Sequence, residues 1–341
     1  MELSPPSPTS ATSPSPTLTK RSRFSSCRNN PKKTCCCVFT LLILLPPLLL
    51  YVYVLIYRLT LSPSTSRFVD LLKVPPHNIT LLNTNLRTRA SNLIDEDTVY
   101  EFPEDLDLVI SGGGFLSYYS LGVSQVLSEL ISNNRTRVHR YSGASAGAQS
   151  SFKLIVMGED LHFVTSLSYG LIFEEYSSKY NNMLNAAITA DWHWRALADY
   201  MEDEFLGEEA LERLTEKVYI SITLLFPWSN KLISKYTSKS QAKSAFLATG
   251  SMFINYEGKL ASDGGATDCA PRFKDNSRQQ LIVNLLDSGL DIKHVTSYEG
   301  LEEIVEVVEK GQDDFVKFLL GEAGGAFQIL DEREEWGTYG C

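Results

Sequence analysis

Histidine and cysteine are scarce in this chain, at five and six among 341 residues. The histidines are scattered at 77, 139, 162, 193 and 294, with no H-E-x-x-H and no cysteine pair at ligand spacing, so no metal site is expected. Four of the cysteines fall within the first 37 residues, leaving only Cys269 and Cys341 for the remainder, and no disulfide framework is implied. Neither G-x-x-x-x-G-K-[ST] nor G-x-G-x-x-G occurs, which removes the usual signatures of a nucleotide cofactor, and no cofactor is expected. Internal repeats are missing too. Positive charge is in deficit: 31 Lys and Arg stand against 41 Asp and Glu, a net of −10. Such a balance disfavours nucleic acid and anionic headgroups and tilts any lipid partner toward neutral or zwitterionic chemistry.

What is present divides unevenly. Residues 1–35 are rich in Pro, Ser and Thr and carry Lys20, Arg21, Arg23, Arg28, Lys32 and Lys33, which reads as a disordered basic tail of net +5. The span 36–57 has no charged residue in 22 positions, long enough to cross a bilayer as one helix. More cations precede it than follow it at Arg58 and Arg67, so the favoured topology is a single pass with a cytosolic N-terminus and a lumenal main domain. The sequons Asn78-Ile79-Thr80 and Asn134-Arg135-Thr136 agree with a lumenal face. Pro46-Pro47 keeps an alternative open: a shallow membrane hairpin on the endoplasmic reticulum or a lipid droplet, with the domain cytosolic. Residues 58–104 read as a linker, 105–330 as the globular domain and 331–341 as a solvated tail. Cys35, Cys36 and Cys37 sit where palmitoylation is plausible, the alternative being small apolar filler.

Three glycine-bearing motifs stand in order along the domain. In the first, the apolar run Leu106–Ile110 suits a buried parallel strand, Gly112-Gly113-Gly114 follow, and Leu116–Leu130 reads as a helix. Strand, triple glycine and helix form an anion cradle, because successive N–H groups can turn toward one oxygen. In the second, Gly143-Ala144-Ser145-Ala146-Gly147 lies between a short strand, Val138–Ser142, and a helix, Ala146–Met157. A serine at that sharp junction is exposed, and the helix N-terminus behind it favours an oxyanion. The third, Asp263-Gly264-Gly265, puts an aspartate at a strand end beside glycines that permit close backbone approach.

Together they supply an acyl-transfer site. An aspartate of ordinary pKa is a poor base for a hydroxyl, so burial and a short hydrogen bond must raise its basicity. The order Ser145, Asp263, His294 also matches an α/β-hydrolase triad. Only one βα unit separates Gly114 from Ser145, however, and Leu290–Lys293 before His294 reads as a surface strand or turn.

The ordered set resembles the patatin-like phospholipase domain family, whose members use a Ser-Asp dyad with the serine in G-x-S-x-G and the aspartate in D-G-G or D-G-A. The resemblance covers roughly 107–271. It implies a three-layer α/β fold with a central, mostly parallel sheet, with Ser145 as nucleophile, Asp263 as general base and Gly112, Gly113 and Gly114 as the oxyanion loop. The implied activity is a serine lipase or phospholipase cleaving lipid carboxylic esters through an acyl-serine at a membrane or lipid-droplet surface. Gly114-Phe115-Leu116, Tyr119 and Gly122 are similar to the neutral-lipid lipase and adiponutrin-like branch. Ser117 stands where the family has glycine and Ser120 where that branch has histidine. Both departures bear on competence, and an inactive lipid-binding scaffold and an acyltransferase are the alternatives.

Between nucleophile and base, Trp192–Leu214 reads as one helix and Val218–Phe226 as a buried strand closed by the aromatic turn Phe226-Pro227-Trp228. That turn is read as core packing, with lipid contact the alternative. Lys231, Lys235, Lys239 and Lys243 read as a solvated face. Gln280–Leu286 reads as a strand, and the stripe Leu301, Ile304, Val305, Val308 as a helix packing on the sheet.

Overall fold

A computed structural model of the chain describes residues 66–330 except 96, 178–182, 252, 276, 296, 297, 299 and 323, and leaves aside the side chains of 66–68 and 171–193. The basic tail, the apolar segment 36–57 and the end 331–341 lie outside the described residues. Among the described residues, no helix is long and apolar enough to cross a membrane.

The stretch expected to be a linker holds two helices, α1 (Ser66–Lys73) and α2 (His77–Leu93). Ile79, Leu86 and Ala90 repeat at helical spacing along α2 and enter the main core, so this segment is part of the domain. Then come β1 (Asp105–Ile110), a 3₁₀ turn at Gly114–Leu116, α3 (Ser117–Ser132), β2 (Arg137–Ala144) and α4 (Ser145–Met157). Next are α5 (Glu159–Ser177), α6 (Met183–Glu204) and α7 (Glu208–Leu214). The single helix expected over 192–214 breaks before Gly207, the residue that precedes α7. β3 (Val218–Leu225), β4 (Trp228–Ile233), α8 (Lys239–Gly250), β5 (Ile254–Tyr256) and β6 (Lys259–Asp263) follow. β7 (Gln279–Val283) is shorter than expected because Asn284 caps a 3₁₀ turn, its side chain accepting from Leu286 N–H. The chain continues through α9 (Leu301–Leu319) to β8 (Phe327–Leu330).

Among the described residues the strands form one eight-stranded sheet, ordered β5-β6-β3-β2-β1-β7-β8, with β4 on the free edge of β3. The four central strands, β3-β2-β1-β7, are parallel, while β4, β5, β6 and β8 pair antiparallel at the margins. The sheet is therefore mixed, and its parallel part is the part that carries the motifs.

One face is apolar and covered by helices. Leu106, Leu108 and Ile110 of β1, with Leu281 and Val283 of β7, share a core with α2, α3, α5 and α9. Val218, Ile220, Ile222 and Leu224 of β3 pack with α4, α6, α7 and α8. The other face breaks the three-layer expectation: among the described residues an irregular segment, not a helix, covers it, packing Ala270 and Phe273 on Val109, Ile282 and Tyr219. The strand residues on that side explain the difference. Asp107, Arg140, Ser142 and Gln280 are polar and need partners that an apolar helix stripe lacks. Arg140 Nη2 lies 2.5 Å from Asp107 Oδ2, Ser142 Oγ donates to the Pro271 carbonyl at 2.6 Å, and the Gln280 amide pairs with the backbone of Phe273 at 2.8 and 2.9 Å. α9 packs chiefly on α3 and also meets the sheet, where Phe315 and Phe318 lie against Phe327 of β8 with ring centroids 5.2 Å apart.

Candidate functional site

β2 and β6 occupy the same edge of β3, end to end. Ala144, the last residue of β2, pairs with Ser221, and Asp263, the last of β6, pairs with the next residue, Ile222. Two strands running toward each other thus end at one joint, and positions 118 apart in sequence meet there. Ser145 Oγ donates to Asp263 Oδ2 at 2.7 Å.

Each partner is held independently. Ala144 is extended, at φ −126° and ψ 152°, and Ser145, the first residue of α4, turns to φ +51°. That left-handed conformation is costly for a residue with a side chain and is the sharp turn that aims a hydroxyl outward. Its N–H donates to Thr249 Oγ1 at 2.9 Å, and the Thr249 hydroxyl donates in turn to the Ser221 carbonyl at 2.7 Å. A Cβ on Gly147 would stand 2.3 Å from the Ile110 carbonyl, so only glycine lets the start of α4 seat against the end of β1.

Asp263 accepts the Gly265 N–H on Oδ1 at 2.8 Å, and its own carbonyl accepts from Thr223 Oγ1 at 2.7 Å. Burial pushes its carboxyl up to about 6, against the opposing pull of the bonds from Ser145 and Gly265. A carboxylate in that state is a markedly better base than an exposed one.

The glycine loop lies beside this pair, and a Cβ on Gly112 would meet Ser145 Cβ at 3.3 Å. The Gly112 N–H donates to the Cys269 carbonyl at 2.9 Å and is occupied. Gly113 and Gly114 N–H groups make no hydrogen bond among the described residues, so both are available as donors. Gly114 has φ +56°, and a Cβ there would lie 2.3 Å from the Val295 carbonyl, so both conformation and space demand glycine. The Tyr298 hydroxyl donates to the Phe115 carbonyl at 2.8 Å and ties down the loop. Cys269 is disulfide-bonded, which the cysteine spacing had not implied.

The two departures from the family pattern fall in helical backbone. Ser117 has φ −55° and ψ −21°, and buried Ser120 donates back to the Ser117 carbonyl at 2.7 Å. Ser117 is therefore not forced into a glycine conformation.

His294 is no surface residue. It is buried on a 3₁₀ turn, Ile292–Val295, with Nε2 2.7 Å from Glu303 Oε1 and its ring stacked on Tyr298 at 5.1 Å. It bonds neither Ser145 nor Asp263. His139 pairs with Asp105 at 2.6 Å, and among the described residues no cluster of metal-ligating side chains occurs. Trp194 stacks on Tyr169 at 4.7 Å, in keeping with aromatic packing. The lysine series does not form one solvated face: Lys231 bonds Glu257 at 3.1 Å from β4, and Lys243 bridges α8 to Asp199 and Glu202 of α6 at 2.5 and 2.6 Å. Sequence reasoning missed Thr249 and Thr223, because nothing near either residue marks it as a neighbour of the dyad.

No family model matches the chain. The chain is similar to curated proteins of patatin-like type. It is 29% identical over 169 residues to an omega-hydroxyceramide transacylase of Mus musculus, covering 47% of this chain and 27% of that protein. It is 26% identical over 185 residues to the Homo sapiens protein of the same name, covering 52% and 34%. To the 1-acylglycerol-3-phosphate O-acyltransferase Pnpla3 of Mus musculus it is 25% identical over 183 residues, covering 51% and 42%. The chain thus spans between about a quarter and two fifths of these relatives' length. Among solved structures, VipD from Legionella pneumophila aligns at a TM-score of 0.42 and 15% identity, covering 67% of this chain and 68% of that one.

Proposed function

We propose that this chain hydrolyses carboxylic esters of glycerolipids through an acyl-serine on Ser145, with Asp263 as general base. The carrying observation is the 2.7 Å bond from Ser145 Oγ to Asp263 Oδ2 at a strained strand-to-helix turn, beside two amides with no partner among the described residues. Asp263 takes the hydroxyl proton as Ser145 Oγ attacks the ester carbonyl, and the Gly113 and Gly114 N–H groups receive the developing oxyanion. Collapse breaks the bond to the alcohol, which leaves with the proton from Asp263. Water then attacks the acyl-serine, gives a proton to Asp263, and the fatty acid departs as Ser145 regains its hydrogen.

A second reading uses the same acyl-serine but hands the acyl group to an alcohol in place of water. The names of the relatives, a transacylase and an acyltransferase, favour it. A fluorophosphonate probe tests the shared step: the wild type labels, and Ser145→Ala does not. Turnover of triacylglycerol and phosphatidylcholine with and without an added alcohol then separates fatty-acid release from ester exchange. Absence of wild-type labelling in lipid micelles would favour a non-catalytic lipid-binding role instead.

In this reading the apolar segment 36–57 anchors the chain, with a cytosolic N-terminus and the domain lumenal. Asn78 and Asn134 are both exposed, which suits them as glycan acceptors. An endoglycosidase-sensitive mass shift that Asn134→Gln reduces is the expected result, whereas an unmodified chain from microsomes would favour the cytosolic hairpin.

A further inference from the structure

The aromatic turn between β3 and β4 does not pack inward. Phe226 is 76% and Trp228 63% exposed, unusual for side chains of that size on a soluble surface. Their position is set by the sheet. β3 runs parallel to β2, so its carboxyl end lies on the same side as Ser145, and Asp263 pairs with Ile222 three residues before β3 stops. At about 3.4 Å per residue the turn projects roughly 10–13 Å past the dyad. β6 runs antiparallel to β3, which brings its start, with partly exposed Leu260, to the same end. On the other flank, Leu286 and Ile292 follow the carboxyl end of β7, which is parallel to β1, and Ile292 is 72% exposed. Exposed apolar side chains therefore bracket the dyad at the end of the sheet where it opens.

We propose that this end of the sheet is a lipid-docking surface, in which Phe226 and Trp228 insert into a neutral or zwitterionic lipid layer and hold Ser145 and Asp263 at its boundary. The proposal rests on the lipid-ester reading above. Trp is favoured at a membrane–water interface, where its apolar ring is buried and the indole N–H stays near the headgroups, and Phe supplies buried apolar surface beside it. Residues 36–341 carry a net charge of −15, given +5 for the first 35 and −10 overall, which disfavours an anionic surface. Catalysis on an insoluble ester also requires the dyad to face the layer that holds it.

The test uses the full-length chain in phosphatidylcholine vesicles made with or without brominated acyl chains. Brominated lipid should quench part of the tryptophan emission of the wild type, and Trp228→Phe should lose that part. A paired Phe226→Ser and Trp228→Ser variant should turn over a long-chain ester in vesicles about tenfold or more slowly, while a soluble short-chain ester stays within about twofold. Quenching that is indifferent to Trp228→Phe, or equal loss on both esters, would overturn the proposal and leave the turn as a contact for another protein. Trp228-dependent quenching in a wild type that cleaves neither ester would keep the docking surface and remove the esterase reading.

Discussion

Thr249 Oγ1 accepts the N–H of Ser145 at 2.9 Å while donating its own hydrogen to the Ser221 carbonyl at 2.7 Å. One hydroxyl on α8 thereby fixes the backbone of the candidate nucleophile to the strand that also positions Asp263. Since Ser145 sits at φ +51°, something must hold it there. Thr249→Val keeps the shape and removes both bonds. Its expected effect is a fall in kcat of about 10- to 100-fold with little change in KM, because misplacement of a reacting atom costs rate more than binding. Thr249→Ser should restore most of it. A stability loss of about 1–3 kcal/mol in urea unfolding is expected for Thr249→Val, from the buried groups left unpaired.

Asp263 acts only as a carboxylate, and its carboxyl is raised to about 6 by burial. The rate on a soluble ester should therefore climb with pH and level off above about 6, since protonation below that removes the base. Asp263→Asn should lower kcat by about 10²–10⁴-fold on the plateau above about 6 and erase this limb, so that the gap to wild type narrows as pH falls. Stability should move the other way. A carboxyl raised from 3.8 binds more protons folded than unfolded between 3.8 and about 6, so wild-type stability falls as pH rises through that window. Above it the penalty is constant, and Asp263→Asn should melt higher than wild type at pH 7. A variant equal in melting temperature at pH 7 and at pH 4 relative to wild type would contradict the assignment of the shift to burial.

Gly114 and Ser117 make opposite demands although the resemblance expects glycine at both. Gly114 has φ +56° with the Val295 carbonyl in the space a Cβ would take, so Gly114→Ala should displace the loop and cost about 1–3 kcal/mol of stability along with most activity. Ser117 is already helical at φ −55°, and restoring glycine relieves nothing. Ser117→Gly should leave kcat/KM within about threefold and lower stability by roughly 0.5–1 kcal/mol through backbone entropy. A large gain in activity for Ser117→Gly would show that the serine does impair the loop.

The site was legible where local backbone chemistry marks itself. Gly143 to Gly147, between a short strand and a helix, identifies a turn, and β1, α3, β2 and α4 around the first two motifs fall within a residue or two of their expected ends. The Asp263 partnership was legible only through the family resemblance, since proximity across 118 positions depends on β6 taking over an edge that β2 vacates. The aromatic turn was misread because Phe and Trp next to a buried strand look like core, and exposure is decided by how far β3 overshoots its neighbours. The covering of the polar sheet face was misread as a helical layer because Arg140 partners Asp107 within the sheet while the irregular segment before β7 satisfies Arg140, Ser142 and Gln280, pairings that local pattern does not display. His294 was placed at the surface from its polar flanks, whereas Tyr298 and Glu303 enclose it.

Lys153 poses a separate question of stability. It lies on α4, buried, with Nζ donating to Ser166 Oγ at 2.8 Å and 5.5 Å from the Trp194 ring, and no carboxylate bonds it among the described residues. His162, also buried, reaches the same Ser166 hydroxyl at 3.5 Å. Burial pulls the ammonium down from 10.5 to about 7. Folded protein then holds fewer protons than unfolded between those values, so stability should fall as pH drops from about 10 toward 7. Lys153→Met fills the same volume with nothing to desolvate. It should flatten that slope and raise stability at pH 7 by roughly 1–4 kcal/mol, read from urea unfolding at several pH values. An unchanged slope would mean that Lys153 keeps its charge in the folded chain and that water or a counter-ion reaches it.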